Sequence, residues 1–377
     1  MPAELAPELA LQAFGGSFGD VASVLGEPSI WVGAFAGGAF GAAIGALPAF
    51  VLTGLLVVAG AAANIVGVAP EGSVDLVGIG FGHVLGPHIS FAGGAAAAAY
   101  AAKKGYMESG FDYHNAKDIG FALGNKPDVL AVGGVFGMLG IAIEQLSRNL
   151  LITVDPIPVS IVISAFVHRA VFGYALIGKT SGSGLLDMGP FERGETVSDT
   201  TTGSDVATDG GAVENGGAAQ HNWLATEPWL PQQYKWAEVG AIGVVAGLVS
   251  GYLAFRTGSP FLGFGISAAS LLFLNLGVEN FPVTHHITLA GSTVFLAVTA
   301  SGDAALAGLS VTAGLLIAGG LGFVAAILGE LTQRIFYAHG RTHIDPPAMA
   351  IVLWSFGIGL LYVAGLIPTG VWIPGTV

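Results

Sequence analysis

Apolar runs long enough to cross a bilayer alternate with short polar stretches along most of this chain. A hydrocarbon core of about 30 Å asks for roughly 17–25 apolar residues in a helix. On that rule the first half predicts helices near 30–47, 49–68, 77–102, 128–150 and 157–178. The second half predicts them near 236–256, 260–278, 285–301, 314–337 and 346–368. Between the halves, 180–235 is rich in Gly, Ser, Thr, Asp and Glu and has little periodicity, which predicts a mostly disordered acidic linker. Residues 1–29 form an acidic arm without a basic n-region, so no secretory signal is read there and the first membrane helix is expected to direct insertion. Trp223, Trp229 and Trp236 are placed at the membrane interface, and Tyr106 to Leu123 is read as a polar-mixed stretch with a short surface helix.

The apolar pattern is written twice. The run Val132 to Arg148, with Glu144, aligns without a gap to Ala318 to Arg334, with Glu330. Upstream, His88-Ile-Ser-Phe-Ala-Gly-Gly matches His286-Ile-Thr-Leu-Ala-Gly-Ser, and downstream Asp155-Pro156 matches Asp345-Pro346. Two membrane repeats, 30–179 and 236–377, follow. Five helices per repeat is odd, so the second copy is expected upside-down relative to the first. Basic residues agree: the face holding the linker carries nine Lys and Arg and the other only Arg148 and Arg256. Positive charge favours the cytoplasm, which puts the linker inside and both termini outside. A further short helix within 304–313 or 118–124 would make the repeats parallel instead. The fold class is therefore an all-α polytopic membrane protein of about ten transmembrane helices in two inverted repeats.

Composition narrows the class. Mean hydropathy is +0.73, with 53% hydrophobic and 10% charged residues, as in polytopic membrane proteins. Net charge is −13, and acid excess with little Lys fits life in high salt. Nucleic acid is excluded as a partner for want of basic clusters; membrane lipid and a small ion or polar solute are the expected partners, and a homo-oligomer is left open. There is no Cys, which removes disulfides and thiolate chemistry. No cofactor motif is present, neither a phosphate loop nor a nucleophile elbow.

Candidate chemistry gathers at matched polar positions. From His88 to Ala102 the chain is too short a helix to span, and Gly82 to Pro87 before it is helix-hostile. The same holds from His286, preceded by Asn280 to His285, so each third helix is expected to be broken or re-entrant. Such a half-helix start suits an anion or polar solute. His88, Ser90, His286 and Thr288 are thus candidate substrate-binding residues, with the matched amides Asn64 and Asn275. The bland reading is that each His braces its break and each amide bonds across helices. Metal binding by His88, His286 and His285 is left unknown, since no zinc spacing is present. The i, i+4 pairs Glu144–Arg148 and Glu330–Arg334 are coupling or gating candidates, or salt bridges that lock a helix end. Asp155 and Asp345 read as N-caps before Pro, His339 and His343 as loop residues, and His168-Arg169 as an unmatched pair open to a role in one half only. No catalytic residue is assigned. The functional expectation is a secondary transporter or channel-like permease; the alternatives are a membrane-embedded enzyme acting on a lipidic substrate and a non-catalytic assembly subunit.

Overall fold

The computed structural model describes residues 18–67, 75–107, 113–150, 153–198 and 222–376. They form an almost purely helical protein: α1 (Phe18–Leu25), α2 (Pro28–Ile44), α3 (Ala46–Val66), α4 (Leu76–Gly80), α5 (Ser90–Lys103), α6 (Pro127–Leu150), α7 (Pro156–Phe172), α8 (Gly189–Glu192), α9 (Trp236–Thr257), α10 (Leu262–Asn275), α11 (His285–Thr299), α12 (Val311–Thr332) and α13 (Pro346–Val363). A 3₁₀ turn at Asn115–Lys117 and a π-helical turn at Gln333–Tyr337 complete the helical parts. Among the described residues, five helices are long and apolar enough to cross a bilayer: α3, α6, α9, α12 with its π turn, and α13. Leu316, Val32, Val66 and Val363 point outward, 62–69% exposed, as side chains facing lipid would. This is the make-up of a membrane-embedded protein.

Helix starts follow local chemistry. Asp155 Oδ1 accepts from Ile157 N at 3.0 Å, and Asp345 Oδ2 from Ala348 N at 2.9 Å, each ahead of Pro in the first turn. The boundary between α2 and α3, invisible as a polar loop, is Gly45 at φ 97, a backbone state that a side chain would strain. The predicted helix 77–102 is interrupted between α4 and α5, and in the second half α11 starts only at His285. In the first half the chain turns irregularly from Phe81 to Ile89, and the hydroxyls of Thr53 and Ser90 both donate to Leu85 O, at 2.9 and 3.1 Å. In the second half the extended Phe281–Val283 is held by Gln233, which donates to Val283 O at 3.0 Å and accepts from Val283 N at 2.9 Å. Gln232 donates to Phe281 O at 3.1 Å.

Helices α5 and α11 are buried almost all round and form the two centres of packing. α2 lies against α5 and α6, and α9 lies against α11 and α12. These crossings are close because small residues face one another. A Cβ on Gly38 would lie 2.1 Å from Gly133 O, and one on Gly247 2.4 Å from Ala318 O. α3 crosses α10, with Gly54 backed by Ala268 and Ala269 and Gly265 backed by Val57 and Val58, so the two helices run in opposite directions.

The described ends of the 180–235 segment differ from the expected disordered linker; the remainder, 199–221, lies outside the described residues, as does 1–17 of the N-terminal arm. Residues 180–198 and 222–235 hold α8, a two-strand ladder pairing Thr196–Ser198 with Asn222–Leu224, and the buried Glu227, Leu230 and Tyr234. Composition missed this because the order comes from partners far away in sequence: Glu227 N donates to Ala338 O at 3.0 Å and Trp229 N donates to Gln333 Oε1 at 3.1 Å. Tyr106 to Leu123 is likewise no surface helix: its 3₁₀ turn is buried, with Lys117 1% exposed, and 108–112 lies outside the described residues. No helix forms in 118–124 or 304–310.

Candidate functional site

A cavity of about 540 Å³ opens where the two halves meet. Its walls come from the start of α3 (Leu47, Phe50), Phe91 of α5, the 113–121 segment, the end of α10 with Asn275, and the first residue of α11, His285. Tyr337, His343 and Asp345 close the far side, and Trp229 to Gln232 of the folded linker end lie along the mouth. A second cavity, about 150 Å³, is lined by Phe81, Pro87, Arg148, Asp155, Phe261, Leu289, Ile351 and Trp372 among others. Phe50, Ile161, His285 and Asp345 line both cavities and so form the neck between them. The neck is aromatic: the Phe50 ring lies 4.8 Å from His285, 5.9 Å from Phe91 and 5.9 Å from Phe264. His285 is 5% exposed, and its Nδ1 has no hydrogen-bond partner.

The polar groups of the larger cavity are mostly tied. His343 Nε2 lies 3.2 Å from Asp345 Oδ1. Lys117 Nζ donates to Glu227 Oε2 at 2.7 Å and lies 4.4 Å from the Tyr337 ring centre, while His114 Nδ1 holds Glu227 Oε1 at 2.8 Å. Burial lowers Lys117 to about 8 despite the attraction of Glu227. Burial alone would raise Glu227, but Lys117 and His114 outweigh it and hold the carboxyl below its ordinary range. His114 is lowered, with burial outweighing its bond to Glu227. The triad fastens the folded linker end across the cavity mouth.

The residues singled out in the sequence fall in three places. Asn275 stands at the mouth of the larger cavity and Arg148 in the smaller one. His88, Ser90, His286 and Thr288 are buried and line neither cavity. The His88 ring is pressed on Gly86 of the irregular turn, and His286 Nε2 would lie 3.0 Å from a Cβ on Gly329 of α12, so both imidazoles pack against backbone. Thr288 Oγ1 donates to His285 O at 3.1 Å. Asn64 is exposed at the end of α3. Glu144 accepts from Gln145 and from Arg148 Nε, both at 2.6 Å. Glu330 accepts from Arg334 Nε at 2.5 Å, and Arg334 also donates to Leu186 O and Tyr234 O and stacks 4.4 Å from the Trp236 ring centre. Arg169, 0% exposed, donates to Thr342 Oγ1, Thr342 O and Leu176 O, which clamps the loop before α13. Among the described residues no group of three or more His, Asp and Glu is placed to hold a metal ion.

Local sequence carries little warning of Lys117, Glu227, Phe50 or His343 as wall and latch residues. The one available signal was the Lys117-Asp118 pair in a polar stretch that borders two apolar runs. Nothing local marks Glu227, since its partners are 110 and 113 residues away.

A family model described as a family of unknown function (DUF7973) matches residues 20–376. No curated protein and no solved structure matches the chain.

Proposed function

The chain belongs to that family of unknown function, and we propose that it is a secondary transporter or channel-like permease for a small polar solute, built from two inverted five-helix repeats. One observation carries the reading: two cavities of unequal size meet at a single neck, and five wall positions of the larger have counterparts in the wall of the smaller at matched places in the sequence. Phe50, Phe91, Ile161, His285 and Asp345 of the larger cavity match Phe261, Leu289, Ile351, Pro87 and Asp155 of the smaller. Helix directions support inversion. At the face that carries the folded linker end, α2, α5 and α7 finish while their counterparts α9, α11 and α13 begin. There, too, α3 and α6 begin while α10 and α12 finish. Inverted repeats with a binding site at their interface, beside discontinuous helices, are a common transporter plan.

The enzyme reading asks His88, His286, Glu144 and Glu330 to converge on one cavity, and none of them lines either of the two. Orientation is tested on the naturally Cys-free chain. Lys104 and Ser301, both exposed, lie just past the ends of α5 and α11. With a membrane-impermeant thiol reagent on intact cells, Ser301→Cys labels and Lys104→Cys does not. Labelling of both, or of neither, rules out the inverted arrangement and the reading that depends on it.

A further inference from the structure

The larger cavity faces its contents with aromatic rings and carboxylates, and its one ammonium is already used. Phe50, Phe91, Tyr113, Trp229 and Tyr337 stand in its wall. The charged wall residues are Asp118, Asp345 and Lys117. Lys117 is neutralised by Glu227 at 2.7 Å, and its Nζ is turned onto the Tyr337 ring. Carboxylates thus outnumber cations in the wall, and its one ammonium is held away from the contents. Helix ends do not reverse this sign. The start of α13 is capped by Asp345 itself, and Leu47 N at the start of α3 donates to Ile119 O. The start of α11 lies at the neck beside Asp345, whose full charge exceeds the roughly half charge of a helix end. A small inorganic cation is a poor fit as well. Losing its water shell requires converging oxygen ligands, and no such group of acids and imidazoles exists among the described residues. A neutral apolar solute would leave the charge of the wall carboxylates unmatched.

Resting on the transporter reading above, we propose that this cavity binds an organic cation, an ammonium clothed in alkyl groups. Aromatic faces attract such a cation without requiring it to shed tightly held water, and carboxylates supply the charge match. The cavity, about 540 Å³, holds a solute of several heavy atoms and its first waters.

Three probes of one shape separate charge from size: choline, the uncharged 3,3-dimethyl-1-butanol and the anionic 3,3-dimethylbutanoate. Calorimetric titration of the purified full-length chain in detergent is expected to show choline binding at least about tenfold more tightly than either isostere. Asp118→Asn and Asp345→Asn each weaken choline by a similar factor and leave the alcohol unchanged. Both variants keep an acceptor for the backbone amides that Asp118 and Asp345 now bind, Gly120 N and Ala348 N. The side-chain amide in Asp345→Asn can donate to His343 Nε2, which now lies 3.2 Å from Asp345 Oδ1, and circular dichroism of each variant checks the fold before titration. Equal affinity for choline and the alcohol, tighter binding of the anion, or no saturable choline binding overturns the proposal. Choline affinity unaffected by both Asn variants overturns it too. Binding in detergent is independent of the labelling test of orientation, so failure of one leaves the other standing.

Discussion

Glu227 illustrates how a single side chain can decide the state of a surface segment. It is 1% exposed, bound by Lys117 and His114, and carried by the chain immediately after 199–221. Glu227 is held below its ordinary carboxyl value, so its contribution to stability is full above about 4.5, the unfolded value, and is lost as pH falls through the lower folded one. Lys117 works the opposite way. Its folded value, about 8, lies below its unfolded 10.5, so keeping the ammonium charged costs stability below pH 8, and that cost lifts between the two values. Removing the anion alone strands the buried ammonium. Glu227→Gln is expected to lower stability by about 3–5 kcal/mol, whereas Lys117→Met with Glu227→Gln returns close to the parent, because no buried charge is left unpaired and the Gln amide can still bond His114. Thermal unfolding in detergent at pH 7 reads both variants. Equal losses in the single and double variants would show that the charge pair is not what fastens the segment. None of this was legible locally: Lys117 reads as an ordinary polar position until the fold brings Glu227 to it.

Elements were far more legible than side-chain roles. All ten expected helix positions hold helices, because each depends on a local apolar run with Pro or Gly at its ends. The breaks before α5 and α11 were readable from Gly82, Gly86, Pro87 and Pro282. What the sequence hid was how each break is held: by Thr53 from α3 in one half and by Gln233 from the linker end in the other. The two segments thus share a local pattern and differ in their pins. Glycines of the apolar helices set interaxial distance at particular points. Gly247→Ala would place a methyl 2.4 Å from Ala318 O and 3.0 Å from Gly322 Cα, both backbone atoms that cannot swing aside. It is expected to lose about 1–3 kcal/mol as α9 and α12 are forced apart. Gly357→Ala in α13 meets nothing within 4 Å and keeps or slightly raises stability, since Ala is the better helix former. Melting temperatures that fall equally in the two variants would mean the α9–α12 seam is not the tight contact it is taken to be.

At the scale of the whole molecule, the unequal cavities are the feature that periodicity could not supply. A duplicated sequence by itself implies two equal halves, yet one cavity is about 540 Å³ and its counterpart about 150 Å³. The difference follows if each half takes one of two conformations and this structure holds one combination. Exchanging the two conformations would then widen the smaller cavity and close the larger, with Phe50, Ile161, His285 and Asp345 as the fixed neck. Single cysteines read that exchange directly. Asn275 is exposed at the mouth of the larger cavity, and Ile157 is half-buried in the wall of the smaller. In proteoliposomes of known orientation, Asn275→Cys reacts quickly with an impermeant methanethiosulfonate while Ile157→Cys reacts slowly. As choline is raised, the two rates are expected to move in opposite directions, because any shift that opens one cavity closes the other. Rates that rise or fall together would instead describe a pore whose two ends open at once, and the alternating mechanism would give way to the channel-like form of the same proposal.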